Sequence, residues 1–428
     1  MSNEIYQEFE GLTYEQAIAE AQRCLNCRHK PCQDGCIAHN DIPNMIIAFL
    51  EGRGEDAKAI SESKTSFPEI CGRVCYQDIQ CELKCVRQAQ HAPVKIGLIE
   101  RFIGDHYESR KPVLEKRGKR IAVIGSGPAG LACAQHMIEN GIDVDVYERK
   151  DFIGGVLKFG IPPYRLPNDI VDVRINRLIE LGVNFKTSHL VADDESYEDL
   201  LDRGYDGVFL GIGASKQNKS NIKGYDSSNV IGWKTFLGLL NIGLEPFQEH
   251  FSHYKRVVIM GGGNVAMDVA ISAAKFGMDT HVIYRRSIDK MPARPAEVKE
   301  ALHLGVNFHE LRDPFEIEEQ ENQLMVHTYK TVLVEKDNDS RGLIETSSDV
   351  ESIPCDLFVM AIGSKVRPVQ FEGLKIDDKD QIMVDENYQT SLKNVFAAGD
   401  GVTGTKTVIH ALSGGKRAAQ KMIEVLGL

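Results

Sequence analysis

Long hydrophobic runs are missing from this 428-residue chain. No stretch approaches the roughly 18 to 20 apolar residues that cross a bilayer, so no membrane span is expected. The first residues, MSNEIYQEFEGLTYEQ, are acidic and lack a hydrophobic leader segment, which makes the cytoplasm the expected location. An excess of cations is missing too. Against 62 Asp and Glu stand 50 Lys and Arg, for a net charge of −12. Sequence-independent nucleic-acid binding needs clustered Lys and Arg, so neither nucleic acid nor membrane is an expected partner. Compositional bias is absent as well: 42% hydrophobic and 26% charged residues describe an ordinary globular protein. At roughly 150 residues per domain, the length allows two to four domains.

What is present is a repeat. KRIAVIGSGPAGLACAQHMIENGIDVDVYERK begins at Lys119, and KRVVIMGGGNVAMDVAISAAKFGMDTHVIYRRS begins at Lys255. Each opens with a short β-branched run, turns on glycines, continues with helical apolar spacing and ends in a second apolar run. That order predicts strand, Gly-rich turn, helix, strand. Gly125 and Gly261 permit the tight turn, and Gly127 and Gly263 let the backbone approach a pyrophosphate. Gly130 or Ala266 permits close helix-on-strand packing. Pro128 and Ala129, or Asn264 and Val265, then open a helix whose free N–H groups face the phosphates.

The two copies end differently. Glu148 closes the first, 23 residues after Gly125, where a carboxylate accepts hydrogen bonds from a ribose diol. Tyr284 stands in its place in the second, followed by Arg285 and Arg286, with Arg294 beyond. Guanidinium groups replacing the acid suit a 2′-phosphate, so the second site reads as NADPH. A solvated surface run of arginines is the bland alternative. Near the C-terminus, NVFAAGDGVTGTKTVIHALSGGKRAAQKM predicts a strand, a turn at Gly399 and Asp400, and a helix starting near Thr405. No C-x-x-C follows residue 100, and Cys133 and Cys355 read as packed thiols.

Eight of the ten cysteines lie between Cys24 and Cys85. They form two quartets: Cys24, Cys27, Cys32 and Cys36, then Cys71, Cys75, Cys81 and Cys85. In a reducing compartment such crowding favours a metal site over disulfides. Zinc favours paired C-x-x-C knuckles, and only Cys24 and Cys27 form one. Two [4Fe–4S] clusters are the expectation, with zinc or plain buried thiols as alternatives.

The cysteine quartets, IERFIGDH, GSGPAG, GGVLKFGIPPYRLP, GGGNVAMD, YRRS with MPAR, and AAGDGV with TVIHAL together resemble one family. It comprises the small (beta) subunit of NADPH-dependent glutamate synthase, the N-terminal half of dihydropyrimidine dehydrogenase, and the large subunit of electron-bifurcating NADH-dependent ferredoxin:NADP oxidoreductase. The resemblance implies an α/β fold of two nested Rossmann-like dinucleotide-binding domains, glutathione-reductase-like, preceded by a helical iron–sulfur domain. The implied domains are 1–116 for iron–sulfur, 117–220 with 363–428 for FAD, and 221–362 for NADPH.

The resemblance also implies an oxidoreductase that passes electrons from NADPH through FAD and two [4Fe–4S] clusters to a partner subunit. The implied FAD contacts are Gly125, Gly127, Pro128, Ala129, Gly130, Glu148, Gly155, Arg165, Gly399, Asp400, Thr407 and Val408, with Lys158 beside the flavin. Those for NADPH are Gly261, Gly263, Asn264, Val265, Arg285, Arg286 and Arg294. By position, one cluster takes Cys24, Cys27, Cys32 and Cys85. The other takes Cys36, Cys75, Cys81 and Glu100, with Cys71 as the competing fourth ligand. The prolines that usually follow Cys36 and Cys75 in the family are Ile37 and Tyr76 here.

Overall fold

The computed structural model describes residues 10–109, 114–191, 196–218, 220–321, 323–334, 343–367 and 371–428. The acidic first nine residues lie outside this set. The cysteine-bearing segment is helical, with helices Tyr14–Ala21, Pro31–Gly35, Ile42–Leu50, Gly54–Thr65, Pro68–Val74 and Ile96–His106. Thr13 starts the first through a capping box. Its hydroxyl accepts from Gln16 N–H at 3.3 Å, and the Gln16 side-chain oxygen accepts from Thr13 N–H at 2.9 Å, which satisfies two otherwise orphaned donors. Met45, Phe49, Ile99, Phe102 and Ile103 fill the core between these helices. The Phe49 and Phe102 rings lie 5.6 Å apart and tilted by 53°, a geometry that suits their quadrupoles.

Two glycines set how closely Pro68–Val74 approaches Ile96–His106. A Cβ on Gly72 would stand 2.5 Å from the Arg101 backbone nitrogen, and one on Gly104 would overlap that of Glu69. The first of these helices carries Cys71 and leads into Cys75, and the second carries Glu100.

This helical segment belongs to one compact unit, Phe9–Lys158 with Arg165–Lys216 and Lys365–Leu428. Its five-stranded sheet runs in the order Val395–Ala397, Gly207–Leu210, Arg120–Ile124, Asp143–Tyr147, Asn184–Lys186, with every pairing parallel. Ile121, Ala122 and Val123 are fully buried in the central strand, as expected where helices cover both faces of a parallel sheet. The C-terminal helix Val408–Leu426 crosses Pro128–Glu139 so closely that a Cβ on Gly415 would overlap the Ala129 carbonyl oxygen.

The second unit comprises Gln217–Ser364 with Phe159–Tyr164. Its parallel sheet runs Val230–Gly232, Leu357–Met360, Arg256–Met260, Asp279–Tyr284, Asn307–Glu310. The sequence repeat is thus a repeat of topology, with each glycine-turn strand central and its partner strand on the same side. A three-stranded antiparallel sheet, Arg312–Gln320, Gln323–Val334 and Leu343–Cys355, is added to this unit. The chain changes unit at Lys216/Gln217 and again at Ser364/Lys365, where two two-residue strands run side by side.

Replacing Gly72 by Ala inserts a methyl group against backbone that has no rotamer with which to yield. Overpacking of this kind costs roughly 1–3 kcal/mol. The expected result is a lower urea midpoint for Gly72→Ala at an unchanged m-value.

Candidate functional site

At the first glycine turn the chain leaves its strand through Gly125, at φ 100°, beneath the Gly211 carbonyl oxygen, which would lie 2.5 Å from a Cβ. A Cβ on Gly130 would overlap the Gly125 oxygen, so helix and turn stay in contact only without one. Gly127 differs: nothing lies within 4 Å of where its Cβ would be. That open face, at the N-cap of Pro128–Glu139, is the cradle a pyrophosphate needs. Glu148 is buried, and its Oε2 accepts from Ser126 N–H at 3.0 Å and Ser126 Oγ at 2.7 Å. Its Oε1 accepts from Lys150 N–H at 2.9 Å. The sequence reading passed over Ser126, although it sits between the two glycines; it ties the acid at the strand end to the turn.

Other candidates converge on the same turn. A Cβ on Gly155 would stand 2.8 Å from Gly127 Cα, and one on Gly399 would stand 2.8 Å from Ala129 Cβ. Gly399 precedes the short helix Asp400–Thr403. Burial pushes the Asp400 carboxyl up to about 6, against the lowering effect of the Lys406 N–H, which donates to it at 3.2 Å. The following helix starts at Val408 rather than near Thr405; Thr407 stands at the N-cap position without a side-chain capping bond, its Oγ1 2.7 Å from His410 Nδ1. Arg165 is buried in the same unit. The Lys158 ammonium is held by Asp172 Oδ1 at 2.6 Å.

The second turn repeats the first in the other unit. Gly261, at φ 140°, passes beneath the Ala361 carbonyl, and Gly263 again has nothing within 4 Å of a would-be Cβ. Asn264 and Val265 open the helix Asn264–Lys275. Asn264 Oδ1 accepts from Arg294 N–H at 2.9 Å, and the Gly262 carbonyl accepts from Ala293 N–H at 3.2 Å. The MPAR segment is thereby folded back onto the glycine turn. Arg285 is exposed directly after strand Asp279–Tyr284, and Arg286 is half-buried.

The cysteines sort into two groups. Cys24, Cys27, Cys32 and Cys85 line one pocket together with Pro31, Ile42, Ile46, Val94 and Ile96. Burial pushes the Cys32 thiol up to about 12, and the negative charge that Cys24 and Cys85 would carry adds to the effect. In the second group, burial pushes Cys36 up to about 11, with Glu100 and Cys75 adding to it. Burial raises Cys81 too, followed by its neighbours Glu82, Cys36, Glu100 and Cys75. Cys71 is raised first by its hydrogen bond with Cys75 and then by burial. Burial lifts Glu100 to about 7, although Ser61 Oγ donates to its Oε1 at 2.7 Å and Asn40 Nδ2 donates at 3.2 Å. Asn40 and Ser61 lie outside every motif and were not singled out from sequence.

Buried thiols crowded in this way are poor thiolates until cationic metal compensates their charge. Among the described residues no three His, Cys, Asp or Glu side chains are gathered tightly enough for a single ion. Zinc at about 2.3 Å from each thiolate draws the sulfurs to roughly 3.8 Å of one another. A cubane takes one ligand per iron, and the two groups, four thiols in one and thiols with Glu100 in the other, offer the donor types such clusters take.

Residues 119–415 match the pyridine nucleotide-disulphide oxidoreductase family, and residues 2–112 match the dihydropyrimidine dehydrogenase domain II, 4Fe-4S cluster family. The chain belongs to the pyridine nucleotide-disulphide oxidoreductases and is an FAD- and NADPH-dependent enzyme carrying [4Fe–4S] iron. It is 35% identical to the glutamate synthase [NADPH] small chain of Escherichia coli (strain K12), across 99% of this chain and 93% of that one. It is 30% identical to the NAD-dependent dihydropyrimidine dehydrogenase subunit PreT of the same organism, across 94% and 93%. Mycobacterium tuberculosis FprA in complex with NADPH shares the fold, with a TM-score of 0.60 at 20% identity over 72% of this chain and 85% of that one. Among the described residues, no helix is long and apolar enough to cross a membrane.

The raised Asp400 carboxyl has a thermodynamic consequence. Its native form holds a proton more tightly than the unfolded chain does, so the cost of its charge is absent below about pH 4 and complete above about pH 6. In the cofactor-stripped protein, Asp400→Asn should match the parent at low pH. It should then gain stability across that window, by up to roughly 3 kcal/mol, as read by thermal unfolding at stepped pH.

Proposed function

We propose that this chain is the reductase subunit of a larger cytoplasmic enzyme, taking electron pairs from NADPH and delivering single electrons to an electron-accepting partner subunit. The observation that carries this reading is the sorting of the N-terminal cysteines into two groups within the same compact unit as the Gly125 turn. Cys24, Cys27, Cys32 and Cys85 hold one [4Fe–4S] cluster. Cys36, Cys75, Cys81 and Glu100 would hold the other, with Cys71 as the competing fourth ligand. When bound, the flavin supplies the exchange between two-electron hydride chemistry and single electrons, and the clusters carry those electrons onward.

The protein's own residues bind and orient. Gly127 and Gly263 admit the two pyrophosphates, with Pro128, Ala129 and Gly130, or Gly261, Asn264 and Val265, shaping each turn. Glu148 would accept from the ribose of FAD, and Gly155, Arg165, Gly399, Asp400, Thr407 and Val408 would complete that pocket. Arg285, Arg286 and Arg294 select the 2′-phosphate of NADPH. We assign no acid, base or nucleophile, because hydride transfer between nicotinamide and flavin belongs to the cofactors. In domain terms, residues 1–116 serve the clusters, 117–220 with 363–428 serve FAD, and 221–362 serve NADPH.

The similarity to glutamate synthase small chains favours that enzyme's large subunit as the partner. A second reading, electron input to a dihydropyrimidine dehydrogenase, is kept open by the 30% identity to PreT.

Anaerobic purification followed by stepwise NADPH addition tests the relay. Flavin bands on a broad shoulder near 400 nm, about eight irons per chain, and bleaching of both chromophores are expected. Zinc in place of iron, or a shoulder that NADPH leaves unbleached, rules the clusters out of the path. Nucleotide selection is tested separately. Arg285→Ala with Arg286→Ala should raise the KM for NADPH at least tenfold, about 1.4 kcal/mol, and change that for NADH by less than threefold; equal effects on both nucleotides would reject the assignment.

A further inference from the structure

The helix Asn168–Glu180 of the flavin-binding fold buries an arginine, Arg174, that no nucleotide motif requires. Its Nε donates to Glu69 Oε1 at 2.7 Å, and one terminal nitrogen donates to Glu69 Oε2 at 2.9 Å and to Glu62 Oε1 at 3.0 Å. The guanidinium carbon sits 5.0 Å from the centre of the Phe67 ring. All three charged side chains are nearly inaccessible: Arg174 is 7% exposed, Glu62 4% and Glu69 6%. Both carboxylates come from the iron–sulfur helices. Glu62 lies on Gly54–Thr65, whose Glu62 carbonyl also accepts from Lys416 Nζ at 2.6 Å, and Glu69 opens Pro68–Val74.

A buried ion triad is a poor way to gain stability, because apolar side chains of similar volume often do as well or better. What a bidentate guanidinium supplies is fixed geometry. Here it grips the first turn of the helix that carries Cys71 and leads to Cys75, and the charge of Glu69 is felt at Glu100. Lys416 Nζ on the Glu62 carbonyl and Arg73 on the Glu69 carbonyl, at 2.8 Å, add cations to the triad, so removing any one of these charges changes the field beside a group that gains an electron on reduction.

We propose that Arg174 is a positioning residue for electron transfer. It locks the helix leading to Cys75 onto the flavin-binding fold and, with Glu62 and Glu69, sets the charge beside the Glu100-side cluster. The inference rests on the assignment of that cluster to Cys36, Cys75, Cys81 and Glu100.

Three variants of the full, cofactor-loaded chain test it: R174Q, R174K and E62Q. Each is followed by EPR-monitored redox titration, by anaerobic stopped-flow mixing with NADPH, and by hydrogen exchange of the Pro68–Val74 amides. E62Q removes a negative charge and should raise the reduced fraction of that cluster at fixed potential about tenfold, 59 mV for one electron. R174Q should lower it by a similar factor and slow cluster bleaching at least tenfold, while flavin bleaching changes less than twofold. R174K keeps the charge but loses the fork, so it should restore the titration while leaving cluster bleaching slow and helix exchange fast.

Should R174Q fail to retain iron, E62Q and R174K decide alone. Iron-loaded E62Q and R174K chains with titration, bleaching rate and exchange all within twofold of the parent would overturn the proposal. An iron-free parent chain would instead overturn the cluster assignment beneath it.

Discussion

Both dinucleotide folds depend on one steric constraint, the passage of the backbone under a neighbouring carbonyl at Gly125 and Gly261. At each point φ is strongly positive, and a Cβ would collide with the oxygen of Gly211 or Ala361. Side-chain-free backbone lets the strand end, the turn and the helix start pack as one body. The helix N-terminus then opens onto a face at Gly127 or Gly263 that no side chain fills, where a pyrophosphate would meet N–H groups. The copies diverge at the end of the second strand, where Glu148 in one stands in the place of Tyr284 in the other, which Arg285 and Arg286 follow.

The iron–sulfur region is built on a different economy. Its helices are short, and its apolar core, centred on Met45, Phe49, Phe102 and Ile103, is modest. Close approach at Gly72 and Gly104 brings Glu100 alongside Cys71 and Cys75, and buried hydrogen bonds from Asn40 and Ser61 hold the carboxylate in place. Those donors matter because a carboxylate pushed up to about 7 by burial is a reluctant anion. Donated hydrogen bonds and nearby metal charge both act to keep it ionised.

Much of this was legible because it is local in sequence. The two glycine turns, the acid-to-arginine change and the cysteine spacing each fit within about thirty residues, and each carries its own chemistry. What could not be read depends on contacts between distant segments. Arg174 meets carboxylates 105 and 112 residues away, and nothing in the helix NDIVDVRINRLIE marks one arginine as buried. Asn40 and Ser61 reach Glu100 across 60 and 39 residues. The antiparallel sheet of Arg312–Gln320, Gln323–Val334 and Leu343–Cys355 has no sequence motif to betray it, although its Thr331 Oγ1 donates to the Arg285 carbonyl at 2.8 Å. The C-terminal helix starts three residues later than the spacing suggests, with Thr407 at its N-cap position and its hydroxyl 2.7 Å from His410 Nδ1 one turn on.

The grouping of the cysteines links folding to cofactor loading. Cys85 joins three thiols from the first quartet, and Cys36 leaves that quartet to join Cys75 and Cys81. Each group therefore closes loops of some forty to sixty residues, which is entropically costly for the unliganded chain. The interleaving also means that neither group can form without ordering the segment that supplies the other. Metal binding and folding are coupled wherever the site does not exist in the unfolded chain. Here each group draws on both cysteine segments, so loading one site would order segments that also serve the other.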